Sequence, residues 1–146
     1  MSFNSNAISD DQNNNSRQKI LIVEDFQQSA NFMSNTLRFC KNAACTNVSS
    51  GKEVIDLLTE LKEPYFDLLL CDIHLPEISG IDAIRRIRSL ESTRKWKPLM
   101  IIAMSADAEN GQKALNAGAS IFLHKLDKPI AKIFKIIDTL PTTNSS

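Results

Sequence analysis

Five short runs of apolar residues recur along the chain, and each is followed by a longer amphipathic stretch. Three of the runs are continuously apolar, as is typical of central strands covered on both faces of a parallel sheet. The second run is more polar than the others. The pattern predicts five strands, at Ile20–Val23, Ala44–Val48, Leu68–Cys71, Leu99–Ala103 and Ser120–Leu123.

The stretches between these runs have the period of helices with one apolar face. The predicted helices are Gln28–Phe39, Gly51–Leu61, Ile81–Leu90, Ala108–Ala117 and Ile130–Leu140. In the first helix, Phe32, Met33, Thr36 and Leu37 are expected to face inward. Because strand and helix alternate throughout, we expect right-handed βα units that build one parallel sheet with helices on both faces. Five units are too few for a barrel, so the predicted fold is an open, doubly wound α/β sheet of five strands and five helices.

Regular patterning is confined to residues 19–140, which we predict to form one folded domain. Residues 1–18 contain five asparagines, four serines and few large apolar side chains. Such a segment cannot bury enough surface to offset the entropy of ordering it. Residues 141–146 are equally polar, so both ends are predicted to be flexible tails.

The overall charge and the cysteines exclude several classes of function. Seventeen Lys and Arg residues balance seventeen Asp and Glu residues in 146, which argues against nucleic acid as a partner because phosphate binding needs a surplus of positive charge. The sequence has no apolar run long enough to span a bilayer and no signal-peptide pattern, so we expect no membrane association and a cytoplasmic location. Cys40, Cys45 and Cys71 lack the spacing of zinc sites and are expected to be reduced.

Polar side chains follow four of the five predicted strands. Glu24 and Asp25 follow the first, Asp72 the third, Ser105 the fourth and Lys125 the fifth. Ligands bind open α/β sheets beyond the carboxyl ends of their strands, where three converging carboxylates call for a neutralising cation. Mg²⁺ fits best because it prefers carboxylate oxygens and often completes its shell with phosphate. The hydroxyl and the ammonium then suit phosphoryl oxygens.

Each residue alone has a simpler explanation. Glu24 and Asp25 would serve as a helix N-cap region, Asp72 as part of a turn, Ser105 as a cap of the fourth helix and Lys125 as a solvated lysine. All of these explanations would have to hold at one edge of the sheet. One shared metal and phosphoryl site is the more economical interpretation.

The chain resembles the receiver domain of two-component response regulators across residues 19–140. The matching motifs are Ile-Leu-Ile-Val-Glu-Asp at 20–25, Phe66-Asp67-Leu-Leu-Leu-Cys-Asp72 with Leu75-Pro76 and Gly80, Ile-Ile-Ala-Met-Ser-Ala at 101–106, and Ala117-Gly118-Ala119. The resemblance implies the flavodoxin-like form of the fold. It also implies a phosphoaspartate switch rather than an enzyme with an external substrate.

The resemblance also implies a role for each residue of the site. Asp72 would accept the phosphoryl group, while Glu24, Asp25, Asp72 and the backbone carbonyl of His74 would hold Mg²⁺. Ser105 would be the hydroxyl switch residue and Lys125 would pair with the phosphate. Phe122 would be the aromatic switch residue and, lacking a phenol oxygen, would act by packing alone.

One departure from the family pattern leaves open which lysine pairs with the phosphate. Proline usually follows the family's lysine, but Leu126 follows Lys125, and a Lys-Pro pair stands at Lys128-Pro129. Counting from Ala117-Gly118-Ala119 favours Lys125, and Lys128 would require an insertion of three residues. Lys128-Pro129 is then expected to form an altered start of the last helix.

By the same resemblance, the phosphodonor would be a histidine kinase or a phosphotransfer protein. An unknown downstream protein would bind the face formed by the fourth helix, the fifth strand and the fifth helix, and the chain would be a monomer or a phosphorylation-dependent dimer. A stand-alone regulator is the leading interpretation. The alternatives are the receiver segment of a hybrid histidine kinase and an adaptor that binds independently of phosphorylation. A related hydrolase is disfavoured because His74 stands where it needs an acid.

Overall fold

The computed structural model describes residues 17–141 and contains, within that range, five strands that alternate with five helices. The elements are β1 (Lys19–Val23), α1 (Gln27–Lys41), β2 (Ala44–Val48), α2 (Gly51–Glu60), β3 (Leu68–Asp72), α3 (Gly80–Arg94), β4 (Met100–Ser105), α4 (Asn110–Ala117), β5 (Ile121–His124) and α5 (Pro129–Thr139). The strands form one sheet in the order β2-β1-β3-β4-β5, and every pairing is parallel. The predicted open, doubly wound α/β fold is confirmed.

Two apolar cores cover the two faces of the sheet, because successive strand side chains point to opposite sides. In β3, Leu69 and Cys71 contribute to the core beneath α2, α3 and α4. Leu68 and Leu70 contribute to the core beneath α1 and α5. All four side chains are fully buried, so β3 reads as a continuous apolar run.

The inward face of α1 differs from the prediction at one position. Phe32 is 61% exposed, whereas Leu37 is fully buried and Met33 packs against the core from a partly buried position. The buried face of the helix consists of Ala30, Ser34 and Leu37, which recur at helical spacing. Phe32 lies off that face, so the expectation that it points inward is wrong.

The ends of the described range contact the folded unit. Arg17 donates hydrogen bonds to the carbonyl oxygens of Asn42 and Ala43, and the Gln18 side chain donates to the Leu140 carbonyl. The other residues of the predicted tails, 1–16 and 142–146, lie outside the described range. None of the helices in residues 17–141 is long and apolar enough to cross a bilayer.

Candidate functional site

The sheet order brings the predicted site residues to one edge. Asp72 is the last residue of β3, the central strand, and Glu24 and Asp25 directly follow the neighbouring β1. On the other side, Ser105 ends β4 and Lys125 follows β5. The Lys125 N–H donates to the Ser105 carbonyl at 2.9 Å, which holds the lysine backbone beside β4. All five residues therefore lie at the carboxyl ends of adjacent strands.

Three carboxylates converge at this edge. Glu24, Asp25 and Asp72 each offer an oxygen that lies within 4.8 Å of the others. Asp72 is only 4% exposed, whereas Asp25 is exposed and Glu24 half-buried. Such closely spaced like charges favour binding of a cation, and hard carboxylate oxygens are the donor set that Mg²⁺ prefers. The residues present therefore fit a magnesium ion.

Lys125 supplies one compensating charge. Its Nζ lies 3.2 Å from Asp72 Oδ2 and 3.3 Å from Glu24 Oε1. Burial lowers the pKa of the Lys125 ammonium, but the carboxylates of Asp72 and Glu24 together outweigh burial, so the pKa lies above its ordinary value. Three carboxylates against one ammonium leave this group two negative charges in excess. Lys125, and not Lys128, is the lysine that the structure pairs with Asp72.

Lys128 takes a different position, as the N-cap of α5. It has a left-handed backbone, with φ of 49°, and Pro129 occupies the first turn of the helix, where the fixed φ of proline suits helix initiation. Lys128 therefore directly precedes the last helix, which begins at Pro129.

The simpler explanations account for only some of the contacts of the site residues. The N-cap of α1 is Phe26, and the one backbone N–H that the Glu24 side chain is seen to accept from in residues 17–141 is that of Phe26, at 3.2 Å. Ser79 caps α3, and the N-cap of α4 is Glu109. Lys125 is half-buried in its two ion pairs. Asp72 and Ser105 do accept hydrogen bonds from N–H groups of their own turns, but the ion pairs of Lys125 join residues that are far apart in the sequence.

Gly80 allows α3 to begin directly against Asp72. A Cβ atom at this position would lie 2.1 Å from the Asp72 carbonyl oxygen, so any side chain would force the two backbones apart. The Gly80 N–H also donates to the Ile73 carbonyl at 2.8 Å. Gly80 thereby closes the loop that follows Asp72, a positioning role that its place in the sequence motif did not reveal.

The Ser105 hydroxyl is fully buried and has three polar neighbours. The Asp107 N–H donates to it at 2.9 Å and Asn110 Nδ2 at 3.1 Å, while His74 Nε2 lies 3.2 Å away. The sequence reasoning did not foresee the role of Asn110 or of the His74 side chain, because they belong to α4 and to the loop after β3. The His74 N–H also donates to Asp72 Oδ1 at 3.1 Å.

Phe122 lies between β5 and the start of α4. Its partly buried ring packs against the core on the side of α4, and a Cβ atom at Gly111 would approach the ring to 3.1 Å. The absence of a side chain at Gly111 therefore makes room for the ring. Phe122 thus belongs to β5, next to the strand that ends at Ser105, and its ring contacts α4, the helix that begins at Asn110.

Three residues outside the site have structural surroundings. Cys71 points into the core, where burial and then the neighbouring Asp72 charge raise the pKa of its thiol to about 12. His124 Nδ1 accepts the Leu126 N–H. Trp96 is half-buried at the opposite edge of the sheet, with the Arg94 guanidinium 4.9 Å from the centre of its ring. The surroundings of all three side chains are those of structural residues.

An apolar groove adjoins the acidic cluster. It has a volume of about 580 Å³ and runs from Glu24 and Lys125 along the start of α1 to the start of α5. Phe26, Phe32 and Met33 form one wall, and Ile130 lies on the other. Phe26 and Phe32 are 57% and 61% exposed, which is unusual for two neighbouring aromatic side chains.

Comparison with known families and proteins gives a consistent result. The family model described as the response regulator receiver domain matches residues 20–137. The hybrid signal transduction histidine kinase G of Dictyostelium discoideum is 36% identical over 113 residues, which are 73% of this chain and 3% of that protein. The chain thus spans a small part of the length of this relative.

Two solved structures share the fold. The receiver domain of the sensor histidine kinase PA1611 from Pseudomonas aeruginosa, with a magnesium ion in its active-site cleft, is 30% identical with a TM-score of 0.69, over 84% of this chain and 95% of that chain. A chain in the co-crystal structure of the Saccharomyces cerevisiae histidine phosphotransfer protein Ypd1 and the receiver domain of its response regulator Ssk1 is 27% identical with a TM-score of 0.71, over 83% of this chain and 87% of that chain.

Proposed function

The chain belongs to the family of response regulator receiver domains of two-component signalling, and from this premise we propose that it is a switch that accepts a phosphoryl group onto Asp72. The observation that carries the proposal is the position of Asp72, which is buried between two further carboxylates with the Lys125 ammonium 3.2 Å from Oδ2.

The site residues divide the work of transfer among them. An Asp72 carboxylate oxygen forms the new O–P bond while the P–N bond of a donor phosphohistidine breaks and the imidazole leaves with the bonding electrons. The Lys125 ammonium pairs with a phosphoryl oxygen, and the His74 N–H keeps the carboxylate oriented through Oδ1. Mg²⁺, held by Glu24, Asp25, Asp72 and the backbone carbonyl of His74, would neutralise charge on the phosphoryl oxygens.

The response to phosphorylation runs through Ser105 and Phe122. The Ser105 hydroxyl moves to a phosphoryl oxygen, and the ring of Phe122 repacks against α4 in the space that is freed. Because Phe122 has no phenol oxygen, the change is one of packing. It alters the face formed by α4, β5 and α5, which binds the downstream protein.

The groove beside the acidic cluster is the docking surface for the phosphodonor, a histidine kinase or a phosphotransfer protein. A donor histidine must reach Asp72 in line, so the body of the donor has to cover the surface next to Glu24 and Lys125, where the groove begins. The exposed rings of Phe26 and Phe32 offer this partner an apolar contact. The similarity to a receiver domain crystallised with a phosphotransfer protein supports the same partner class.

As a whole, the chain acts as a cytoplasmic stand-alone regulator, either a monomer or a phosphorylation-dependent dimer, that works through protein contacts and does not bind nucleic acid. The complete set of site residues disfavours an adaptor that is independent of phosphorylation. A second candidate is the receiver segment of a hybrid kinase, which the similarity to such a kinase favours. An immunoblot that detects the natural protein at the molecular mass of a hybrid kinase, far above 16.3 kDa, would support the second candidate.

The test is phosphorylation by acetyl phosphate in the presence of Mg²⁺, followed by mass spectrometry. The wild-type chain gains one phosphoryl group, and Asp72→Asn gains none because an amide oxygen is a poor nucleophile. Asp56→Asn, which removes a surface carboxylate on α2 paired with Lys52, is the matched control and is labelled normally. Labelling of Asp72→Asn at the wild-type level would refute the proposal.

A further inference from the structure

The hydrogen-bonding capacity of the Ser105 hydroxyl is fully used in this structure. A hydroxyl has one hydrogen to donate and two lone pairs to accept with. The Asp107 N–H and Asn110 Nδ2 occupy the two acceptor positions, at 2.9 and 3.1 Å. The remaining neighbour, His74 Nε2 at 3.2 Å, has no lone pair of the hydroxyl left to donate to, so we assign to His74 the tautomer with its proton on Nδ1, in which Nε2 accepts the hydroxyl hydrogen.

The three side chains close a triangle, since Asn110 Nδ2 also lies 3.3 Å from His74 Nε2. Ser105 ends β4, His74 belongs to the loop directly after Asp72, and Asn110 is the first residue of α4. The triangle thus ties the loop next to the phosphoryl acceptor to the helix expected to respond. We call these three residues the Ser105 latch.

We propose that His74 and Asn110 are positioning residues that hold the Ser105 hydroxyl in its resting position and thereby oppose the phosphorylated conformation. This inference rests on the proposed phosphorylation of Asp72. The hydroxyl hydrogen that is donated to His74 is the one that a phosphoryl oxygen on Asp72 needs. Both bonds cannot exist at once, so the latch has to open before the switch residue engages.

The latch sets the balance between the two conformations. A neutral hydrogen bond lost from the resting state shifts such a balance by about 2- to 10-fold. His74→Leu and Asn110→Ala should each tighten the binding of beryllofluoride, a phosphoryl mimic, by a factor in that range in the presence of Mg²⁺. His74→Gln keeps an acceptor near the position of Nε2 and should restore the wild-type affinity.

The latch is also measurable without metal or phosphodonor. The Asp107 N–H is bonded to the Ser105 hydroxyl, so its hydrogen exchange reports how firmly that hydroxyl is held. In metal-free protein followed by NMR, exchange at Asp107 should accelerate in His74→Leu and Asn110→Ala and remain slow in His74→Gln. Unchanged exchange in both of the first two variants would overturn the latch.

A Ser105→Ala background separates the latch from simple changes in access to Asp72. Without the hydroxyl, His74→Leu and Asn110→Ala have nothing to release and should leave beryllofluoride affinity unchanged. If they still tighten binding in that background, or fail to do so in the wild type, the inference is wrong while the proposed function stands. Failure of the wild-type chain itself to bind beryllofluoride would instead refute the proposed function.

Discussion

Charged side chains have different kinds of neighbours at the two ends of the parallel sheet. At the amino end, the two best-connected charged groups, Glu91 and Arg94, have fixed local partners. Glu91 accepts from Arg88 and from the Leu99 N–H, and Arg94 donates to three carbonyl groups at the end of α2. At the carboxyl end, three carboxylates face one another, and the ammonium of Lys125 is the one seen to pair with them within residues 17–141.

This difference separates charges that stabilise the fold from charges that serve a ligand. The pairs at the amino end satisfy buried groups that would otherwise be costly to leave unpaired. The cluster at the carboxyl end places like charges together, which costs stability until a cation binds. Residues of a functional site commonly carry such a cost, so the sign of a mutational effect on stability should tell the two ends apart.

The clearest expected difference between the two ends is the sign of the effect on stability, which should be positive at the carboxyl end. Asp25→Asn removes one of the converging charges, so the metal-free protein at low salt should melt about 2–4 °C higher, and the gain should shrink as salt screens the repulsion. The stabilisation that Mg²⁺ gives the wild type should be largely lost. Thermal unfolding with and without Mg²⁺ measures both changes.

The matched control for Asp25→Asn lies at the other end of the sheet. Asp138→Asn removes an exposed ion pair with Lys41 and should lower the melting temperature slightly while the response to Mg²⁺ stays normal. If both variants shift the melting temperature in the same direction, the distinction between the two ends fails.

An effect of the opposite sign is expected from Glu91→Gln at the amino end. The amide keeps one acceptor oxygen but turns a donor toward Arg88 or toward the Leu99 N–H, so the free energy of unfolding should fall by about 1–3 kcal/mol. Urea denaturation measures the loss, and Glu60→Gln at the exposed end of α2 is the comparison. Phosphorylation of the folded Glu91→Gln protein should remain normal, and a defect there would contradict the assignment of Glu91 to the fold alone.

Lys19 makes a subtler test of the amino end. Its side chain is buried, and its Nζ has no hydrogen-bond partner among residues 17–141, although the Tyr65 ring centre lies 5.5 Å away. Replacing such a group by an apolar side chain of similar length is often neutral or stabilising. Lys19→Met should therefore leave the free energy of unfolding unchanged or raise it by about 1 kcal/mol. A loss as large as that of Glu91→Gln would show that the ammonium stabilises the fold.

The smallest expected signal is the absence of a reaction at Cys71. With a thiol pKa of about 12, only about one molecule in ten thousand carries a thiolate at pH 8. Cys45 is also buried, with its pKa raised to about 11, whereas Cys40 is exposed. Iodoacetamide should modify Cys40 in the native protein and all three cysteines after denaturation. Rapid modification of Cys71 in the native protein would mean that reagents reach the core of the sheet at the residue before Asp72.

Most of the site could be found in the sequence because ligands bind open α/β sheets beyond the carboxyl ends of their strands. Apolar runs long enough to cross the sheet end at Val23, Cys71 and the residues before Ser105, so the next polar side chain marks the functional edge in each case. The inward face of α1 was harder, because Phe32 is apolar yet belongs to an exposed groove and not to the core. An apolar residue in a binding surface follows no helical period.

The contacts of Asn110 and the close approach at Gly80 were not predictable for another reason. Both depend on where a helix begins relative to a loop from a distant part of the chain. Asn110 meets His74 across 36 residues, and Gly80 touches the backbone of Asp72 through the fold of the intervening loop. Hydrophobic periodicity predicts that a helix is present. It does not predict where the first turn of that helix lies relative to a neighbouring loop.

The ion pair between Lys125 and Glu24 joins residues 101 positions apart. On the ribosome the chain emerges from its amino terminus, so Glu24, Asp25 and Asp72 leave the exit tunnel well before Lys125 does. Until the fifth strand is added, the growing chain carries the three carboxylates without their counter-charge. The finished cluster therefore forms only in a chain whose translation has passed the last strand, which makes the site a late product of synthesis as well as of folding.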